Sequence, residues 1–568
     1  MNAYPALLAA VSSDPLIAEG ITPRAPETVM RLSRMGSFHA SRLSFMRVLL
    51  RRITAEGWRV SKPVWTINAQ GVGRAVYSAQ GPERAYSLVA FAHDLPPEQR
   101  SDRVIATAWD ATFTLFDGIP SAADLDRLEA NVPLQEAGRI SERELCLARA
   151  NRSVRLWDHV VDRLAAGAQP DLQTVLDVGY LMRTTAVYGS SKFGAADRDV
   201  IAARPECAAP FQVEMLTVWL IRTFVMDLVE HMARAKGGAT AVPIEPALRR
   251  RFGIGNSTGL GMAPFLMTHP VLLNNWIAAR EWALARVRSV STPSAPEIDR
   301  FNALVPRVAR NAAEWQSSHP VQMVKLAALR EDLSRLTAKV AEGLAPHAPW
   351  NTLWVWAETA LSEEGQEALA SLLIEVHPDL VDGLAECMAA DEAASFPLDG
   401  AQSVAALRQK IVTHYGWALS MDWSAKPAQA RVWYVSQEKL EPRLGERWQE
   451  DVAEWEQPLQ PGRDVAMLER ALVGVEGTVA AFVLRYPEHR YAIRRVQICS
   501  RFPYAEIHDN TISDQLLPID LLRAKLSFFG ATHFDPRSDR WVRINMFRGA
   551  PFPHEIAAEE SDLWAYPV

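Results

Sequence analysis

The chain has few cysteines. Its four, Cys146, Cys207, Cys387 and Cys499, are spread over 568 residues without any CxxC-type spacing. That spacing argues against a disulfide scaffold and a zinc ribbon, and a reducing compartment fits it. Long uninterrupted apolar runs are also missing. The longest apolar segment, 211–232, carries Glu214, Arg222, Asp227, Glu230 and His231, so it reads as a buried helix and not a membrane span. Neither sign of charge dominates: 60 Lys and Arg stand against 67 Asp and Glu, a net charge of −7. Without a basic field, nucleic acid and anionic membrane are not expected as partners. Low-complexity tracts and internal repeats are lacking. The Gly-x-Ser-x-Gly elbow, the His-Glu-x-x-His helix, the kinase set and a Walker lysine are lacking too, which argues against the classes those motifs advertise. The first 30 residues hold Pro5, Asp14, Pro15 and Glu19 in place of a basic start and an apolar run, so no secretory signal is expected and the location reads as cytoplasmic.

What is present is apolar material for several cores, at 48% hydrophobic residues, and length alone suggests about three or four domains. A helix is expected over 28–56, ended by Gly57. Runs at 58–67, 73–78 and 85–92, rich in β-branched and aromatic residues, then predict an antiparallel meander. Long helices are expected at 141–166, 171–185, 210–236 and 270–290, the first opened by Ser141 with Glu144 as a capping box. After a Ser/Pro linker at 289–296, amphipathic helices run to about residue 391. Beyond Pro397 the pattern predicts helices at 404–415, 468–484 and 516–529, with strands at 417–423, 431–436, 492–500 and 541–547. The expected fold is a helix-rich α+β protein, its central bundle-like region flanked by N- and C-terminal α+β segments with small antiparallel sheets. The segments are 1–135 (α+β), 136–300 (helical core with two glycine-rich loops), 301–400 (helical) and 401–568 (α+β).

Candidate chemistry concentrates in two glycine-bearing stretches. From Arg251 the chain reads Arg-Phe-Gly-Ile-Gly-Asn-Ser-Thr-Gly-Leu-Gly, and Gly255, Asn256, Ser257, Thr258, Gly259 and Gly261 suit an anion held by backbone N–H groups with Arg251 at the entrance. No phosphate-loop pattern is matched, because no lysine follows the last glycine. The second stretch brings Tyr188, Ser190, Ser191 and Lys192 together as acid/base candidates. A Gly-Ser-Ser loop between helices also occurs in the aspartase and fumarase group of lyases, but the Met-Pro-x-Lys that follows there is missing here, and no family is identified.

Asp227 and His231, four apart on one helix, suit a carboxylate orienting an imidazole, and His508 is a competing base. Asp158, His159 and Asp162 lack the repeated Glu-x-x-His of a di-iron bundle, so no dedicated metal site is expected, although His93-Asp94, His508-Asp509 and His533-x-Asp535 keep a scattered one in view. Arg537, Arg540, Arg543 and Arg548 suit a carboxylate or phosphate partner. Together these predict an intracellular homo-oligomeric enzyme acting on a small anionic metabolite by acid/base chemistry, with lyase-type elimination leading. The alternatives are a non-catalytic ligand-binding or assembly protein, and an oxidoreductase holding an organic cofactor on the 253–261 glycines. The cofactor itself is not legible.

Overall fold

Gly57, with a positive φ of 64°, ends helix α1 (Phe45–Ala55) and starts the meander. The structure, a computed structural model, describes residues 14–31, 33–35, 40–94, 109–132, 141–185, 201, 204–207, 209–256, 270–315, 320–388, 397–425, 434–436, 441–443, 460–508, 527–528, 530, 533–535, 543–558 and 562–566. The chain forms two units that interleave along the sequence. A sheet unit takes 44–259, 529–535 and 541–568, and a helical unit takes 1–43, 260–528 and 536–540.

In the sheet unit the expected meander is present as strands β1 (Arg59–Trp65), β2 (Gly73–Gln80) and β3 (Ala85–Ala92), paired antiparallel. Strand β4 (Ala111–Asp117) follows, then helix α2 (Ala122–Asn131), opened by a capping box between Ser121 and Asp124. Next come β5 (Glu144–Arg152), α3 (Trp157–Ala165), α4 (Leu172–Val178), β6 (Tyr180–Thr185), α5 (Gln212–Gly237), α6 (Pro246–Arg251) and β7 (Gly253–Asn256). The C-terminal part adds β8 (His533–Asp535) and β9 (Arg543–Met546). The nine strands form one sheet in the order β1-β2-β3-β4-β5-β6-β7-β9-β8, antiparallel except for the β6–β7 pair.

This sheet corrects the expected fold class. In place of small antiparallel sheets around a bundle-like centre, a single mixed sheet runs through the unit, and the stretch expected to be a helical core supplies β5, β6 and β7. The error has a physical cause. Glu144 to Ala150 reads Glu-Leu-Cys-Leu-Ala-Arg-Ala, all but Cys146 good helix formers, yet every residue of β5 is buried, and burial between two layers overrides intrinsic propensity. Ser141 opens a turn, its carbonyl accepting the Glu144 N–H, and caps no helix. Gly179, with φ 73°, ends α4 after two turns and lets the chain enter β6.

Helix α5 packs on one face of the sheet, where Phe224 meets the rings of Phe113 at 5.5 Å, Tyr77 at 6.4 Å and Trp65 at 6.2 Å. The other face carries Val76, Val89, Phe91 and Phe116 under Leu125 and Leu128 of α2. Each such aliphatic or aromatic side chain contributes about 1.5–3 kcal/mol on burial. Arg222 of α5 is fully buried with no carboxylate in contact among the described residues. It donates to the carbonyls of Phe252 (2.7 Å) and Ala550 (2.8 Å) and lies 3.8 Å from the Phe552 ring, fastening α5 to the chain on both sides of β7 and β9.

The helical unit is built on α7 (Pro270–Arg288), whose residues are buried almost all round, as a central helix requires. Around it in sequence come α8 (Ala295–Glu314), α9 (Pro320–Ala341), α10 (Pro349–Ala360) and α11 (Glu363–Val376). A second apolar cluster joins α12 (Val404–Leu419), α13 (Gln460–Leu472), α14 (Val479–Arg485) and α15 (Arg490–Cys499). The strand expected at 492–500 is thus α15: its β-branched Ile493 and Val496 lie three apart on a buried helical face, so the period of three outweighs β propensity. The start of the strand expected at 417–423, residues 417–419, is likewise the end of α12. A short pair, Tyr434–Ser436 with Glu441–Arg443, occupies the end of the expected 431–436 strand. Among the described residues no helix is long and apolar enough to cross a membrane.

Candidate functional site

On the sheet face opposite α5, polar groups replace apolar ones between β4 and β9. Strand register aligns Asn151 of β5 with Arg183 of β6, Arg183 with Gly255 of β7, and Gly255 with Asn545 of β9. Thr112 and Arg149 pair across β4 and β5 in the neighbouring row. Side chains two apart along a strand share a face, so these residues form one polar surface. All but glycine are at most 4% exposed. Arg149 lies over the Trp109 ring at 4.7 Å.

Gly255 is required here by close approach. A Cβ at this position would stand 2.6 Å from the Tyr180 ring, which therefore lies directly over the glycine. Asn545 gives its amide N–H to the Val178 carbonyl at 3.3 Å, while its Oδ1 has no hydrogen-bond partner. The Tyr180 Oη and Thr112 Oγ1 are buried without partners as well. Buried polar atoms are nearly always paired, so three orphans on one polar face mark a place where water or a ligand completes the bonding. In the same unit His93, at the end of β3, also has an unpartnered Nε2. Burial lowers its pKa, against the opposing pull of Asp110 and Glu129, and keeps the imidazole neutral.

The stretch read as a glycine loop from Gly253 begins as strand β7, and its first glycine allows close packing: a Cβ on Gly253 would meet the Met546 carbonyl oxygen at 2.6 Å. Arg251 ends α6 and is half-buried. Asn256 closes β7 opposite Thr184; Ser257, Thr258, Gly259 and Gly261 lie outside the described residues, as do Tyr188, Ser190, Ser191 and Lys192. Since Asn256 closes β7 beside Thr184, one residue before the end of β6, and the two strands are parallel, both glycine-bearing stretches follow neighbouring strand ends.

Asp227 and His231 do not bond each other. Asp227 accepts from Lys62 at 2.8 Å, the Tyr77 hydroxyl at 2.7 Å and Arg249 at 3.3 Å, tying α5 to β1, β2 and α6. Burial first, and Asp227 second, drive the Tyr77 phenol far above its ordinary pKa, so it stays a donor. The His231 Nε2 meets the Asn68 carbonyl at 2.8 Å in the β1–β2 turn, with the ring at 5.5 Å from Trp65. His508 belongs to the helical unit, where its backbone N–H bonds the Met30 carbonyl at 2.6 Å and its ring stacks on Trp417 at 5.4 Å.

The segment before it is tied down by Tyr504, which donates to the Arg24 carbonyl at 2.7 Å, and by Glu506, which accepts from Tyr415 at 2.9 Å and Arg495 at 2.5 Å. Of the C-terminal arginines, Arg548 is buried; Arg537, Arg540 and the Arg543 side chain lie outside the described residues.

Among the described residues one triad has the donor atoms of a metal site: Glu297, His377 and Asp379, in the helical unit. Both nitrogens of His377 are occupied, Nε2 accepting from the Trp350 indole at 2.9 Å and Nδ1 lying 3.0 Å from Glu297. Glu297 also completes the capping box of α8 with Ser294. Burial lowers the His377 pKa despite Glu297, which fits a neutral ring that donates from Nδ1 and accepts at Nε2. Trp350, His377 and Glu297 thus form a hydrogen-bonded relay between helices.

Arg149, Asn151, Tyr180 and Arg183 escape the sequence analysis because their strands read as helix, and Asn545, on a segment that does read as strand, gains its polar neighbours only through the register with β7. The signal was the alternation of Ala148 and Ala150 with Arg149 and Asn151, a period of two. No family model, curated protein or solved structure matches the chain.

Proposed function

We infer that the sheet unit binds a small hydroxylated anion against the polar face of β4, β5, β6, β7 and β9, and performs acid/base chemistry on it. The observation that carries this reading is the set of unpartnered Tyr180 Oη, Asn545 Oδ1 and Thr112 Oγ1 on a face that also holds Arg149 and Arg183. The guanidinium charges select an anion. Asn545 Oδ1 accepts only, so it asks for a hydroxyl or ammonium donor, while Tyr180 Oη gives or takes a proton. A 2-hydroxy acid meets these demands, and its elimination of water needs a group that removes the C–H proton and one that protonates the departing hydroxyl. The unpartnered Tyr180 hydroxyl is the group this reading assigns to one of these roles. A homo-oligomer and a cytoplasmic location accompany this reading as proposals, the first checked by sedentimentation equilibrium of the full chain.

Calorimetric titration of the full chain with malate and with succinate tests the reading. Malate is expected to bind at least about tenfold more tightly, the worth of one added hydrogen bond to otherwise unpaired groups, and Tyr180→Phe to remove that preference. Equal affinities, or a preference unchanged in Tyr180→Phe, contradict it. Formation of the unsaturated product, followed by its ultraviolet absorbance, separates an enzyme from a binding protein.

A further inference from the structure

The helical unit holds a polar cleft of about 480 Å³, lined in part by Arg24, Arg34, Arg288, Trp354, Glu358 and Gln366. This is within the range of small-molecule sites. Its three arginines differ in what they have left to offer. Arg24 is saturated: Nε and Nη2 bond Glu281 at 2.7 and 2.8 Å, and Nη1 and Nη2 bond Glu367 at 2.6 and 3.2 Å. Arg34 shares Nη1 between Gln366 (2.9 Å) and Glu367 (3.3 Å) and sets Nε 3.3 Å from Glu363.

Arg288 is different. Its Nε donates to the side-chain Oδ1 of Asn351 at 3.0 Å, and its guanidinium lies 5.5 Å from the Trp354 ring. Its two terminal nitrogens have no hydrogen-bond or ion-pair partner among the described residues. The indole is itself held, because its N–H donates to Glu358 at 2.8 Å. Arg288 is thus a positioned guanidinium, half-buried, with its forked edge unspent. Burial and the nearby Arg24 charge both disfavour that cation, and Glu358 and Glu281, which do not touch it, offset this only in part.

We propose that this cleft is a binding site for a small oxyanion, a carboxylate or phosphate group received bidentately by Arg288 beside the Trp354 indole. A guanidinium fork matches the two oxygens of either group, and the cleft gives room for the molecule that bears it. Glu358, at the exposed side of the cleft, favours a ligand whose far end carries an amine or hydroxyl over one ending in a second acid. The site lies wholly within the helical unit and stands independently of the one inferred for the sheet.

Calorimetric titrations of the full chain with glutamate, glutarate and inorganic phosphate test it. At least one of the three is expected to bind wild type saturably. Arg288→Met weakens that binding by about 10- to 100-fold, the span expected for hydrogen bonds to a charged group. Arg288→Lys keeps the charge but not the fork and recovers only part of it. Thermal melting of Arg288→Met without ligand is expected at or above that of wild type, since an uncompensated cation has been removed, which shows that lost binding is not lost folding. Tyr180→Phe leaves these titrations unchanged. Glutamate and glutarate binding without phosphate assigns the site to carboxylates, and the reverse to phosphates. Absence of binding by all three probes, or binding that Arg288→Met does not weaken, overturns the proposal.

Discussion

Removing Arg24 tests the buried ion network of the helical unit. Arg24 and Arg280 face Glu281 and Glu367 with almost no access to water: the Arg24 side chain is 7% exposed and the two carboxylates 0% and 1%. Burial alone raises the pKa of the Glu367 carboxyl, but Arg24, Arg280 and Arg34 overcome it and hold the group at about 2 against an ordinary 4.5. That difference is worth about 3 kcal/mol of stability at neutral pH, with Arg24 the largest attractive contributor.

Arg24→Met keeps much of the stem and leaves two carboxylates to Arg280, at 3.2 and 3.5 Å, and Arg34, at 3.3 Å. Breaking one partner out of a buried pair costs about 3–5 kcal/mol. Urea unfolding at pH 7, followed by tryptophan fluorescence, is expected to show a loss of that size. Because the folded carboxyl titrates below the unfolded one, its stabilisation is complete above about pH 4.5 and is lost as the pH falls towards 2. The gap between wild type and variant therefore narrows by about half at pH 3. A loss below about 1 kcal/mol at pH 7, or a gap that widens in acid, refutes the reasoning.

Other consequences are equally direct. Gly255→Ala sets a methyl 2.6 Å from the Tyr180 ring and is expected to cost about 1–3 kcal/mol, read as a lowered melting temperature, whereas Tyr180→Phe added to it brings little relief because the clash is with ring carbons. Burial pushes the thiols of Cys207 and Cys499 up to about 12, with Glu206 and Glu506 adding to it respectively, so a thiol reagent at pH 8 is expected to modify both at unfolding-limited rates and rapidly only in denaturant. Cobalt(II) titration is expected to give no tetrahedral absorption from Glu297, His377 and Asp379, since both imidazole nitrogens already have partners; a saturable band lost in His377→Leu contradicts that assignment.

The antiparallel meander was legible because its strands combine β-branched residues with Gly71 and Gly81 at the turns, and the sheet itself then exceeded anything local pattern predicts. Strand β5 shows why. Its helix-forming composition is overruled by neighbours on both sides that lie far away in sequence, and no window of one strand's length contains that information. Gly253 and Gly255 read in sequence as part of an anion-holding loop; in the structure they are places of close packing, where the Met546 carbonyl and the Tyr180 ring approach, and only the register of β6, β7 and β9 reveals those groups. Asp227 and His231 share a helix face as their spacing implied. Their partners come instead from β1, β2, α6 and the β1–β2 turn, so proximity on one helix did not make them a pair. The cleft around Arg288 had no sequence signature, because its lining residues come from positions 20 to 366.

The most direct test of the sheet-unit reading is a crystal structure of the full chain grown with malate. The account predicts the ligand's density within hydrogen-bond reach of Tyr180 Oη and Asn545 Oδ1, with its carboxylate towards Arg183. Finding both atoms bonded to protein side chains, or the polar face filled only by water at saturating malate, contradicts it.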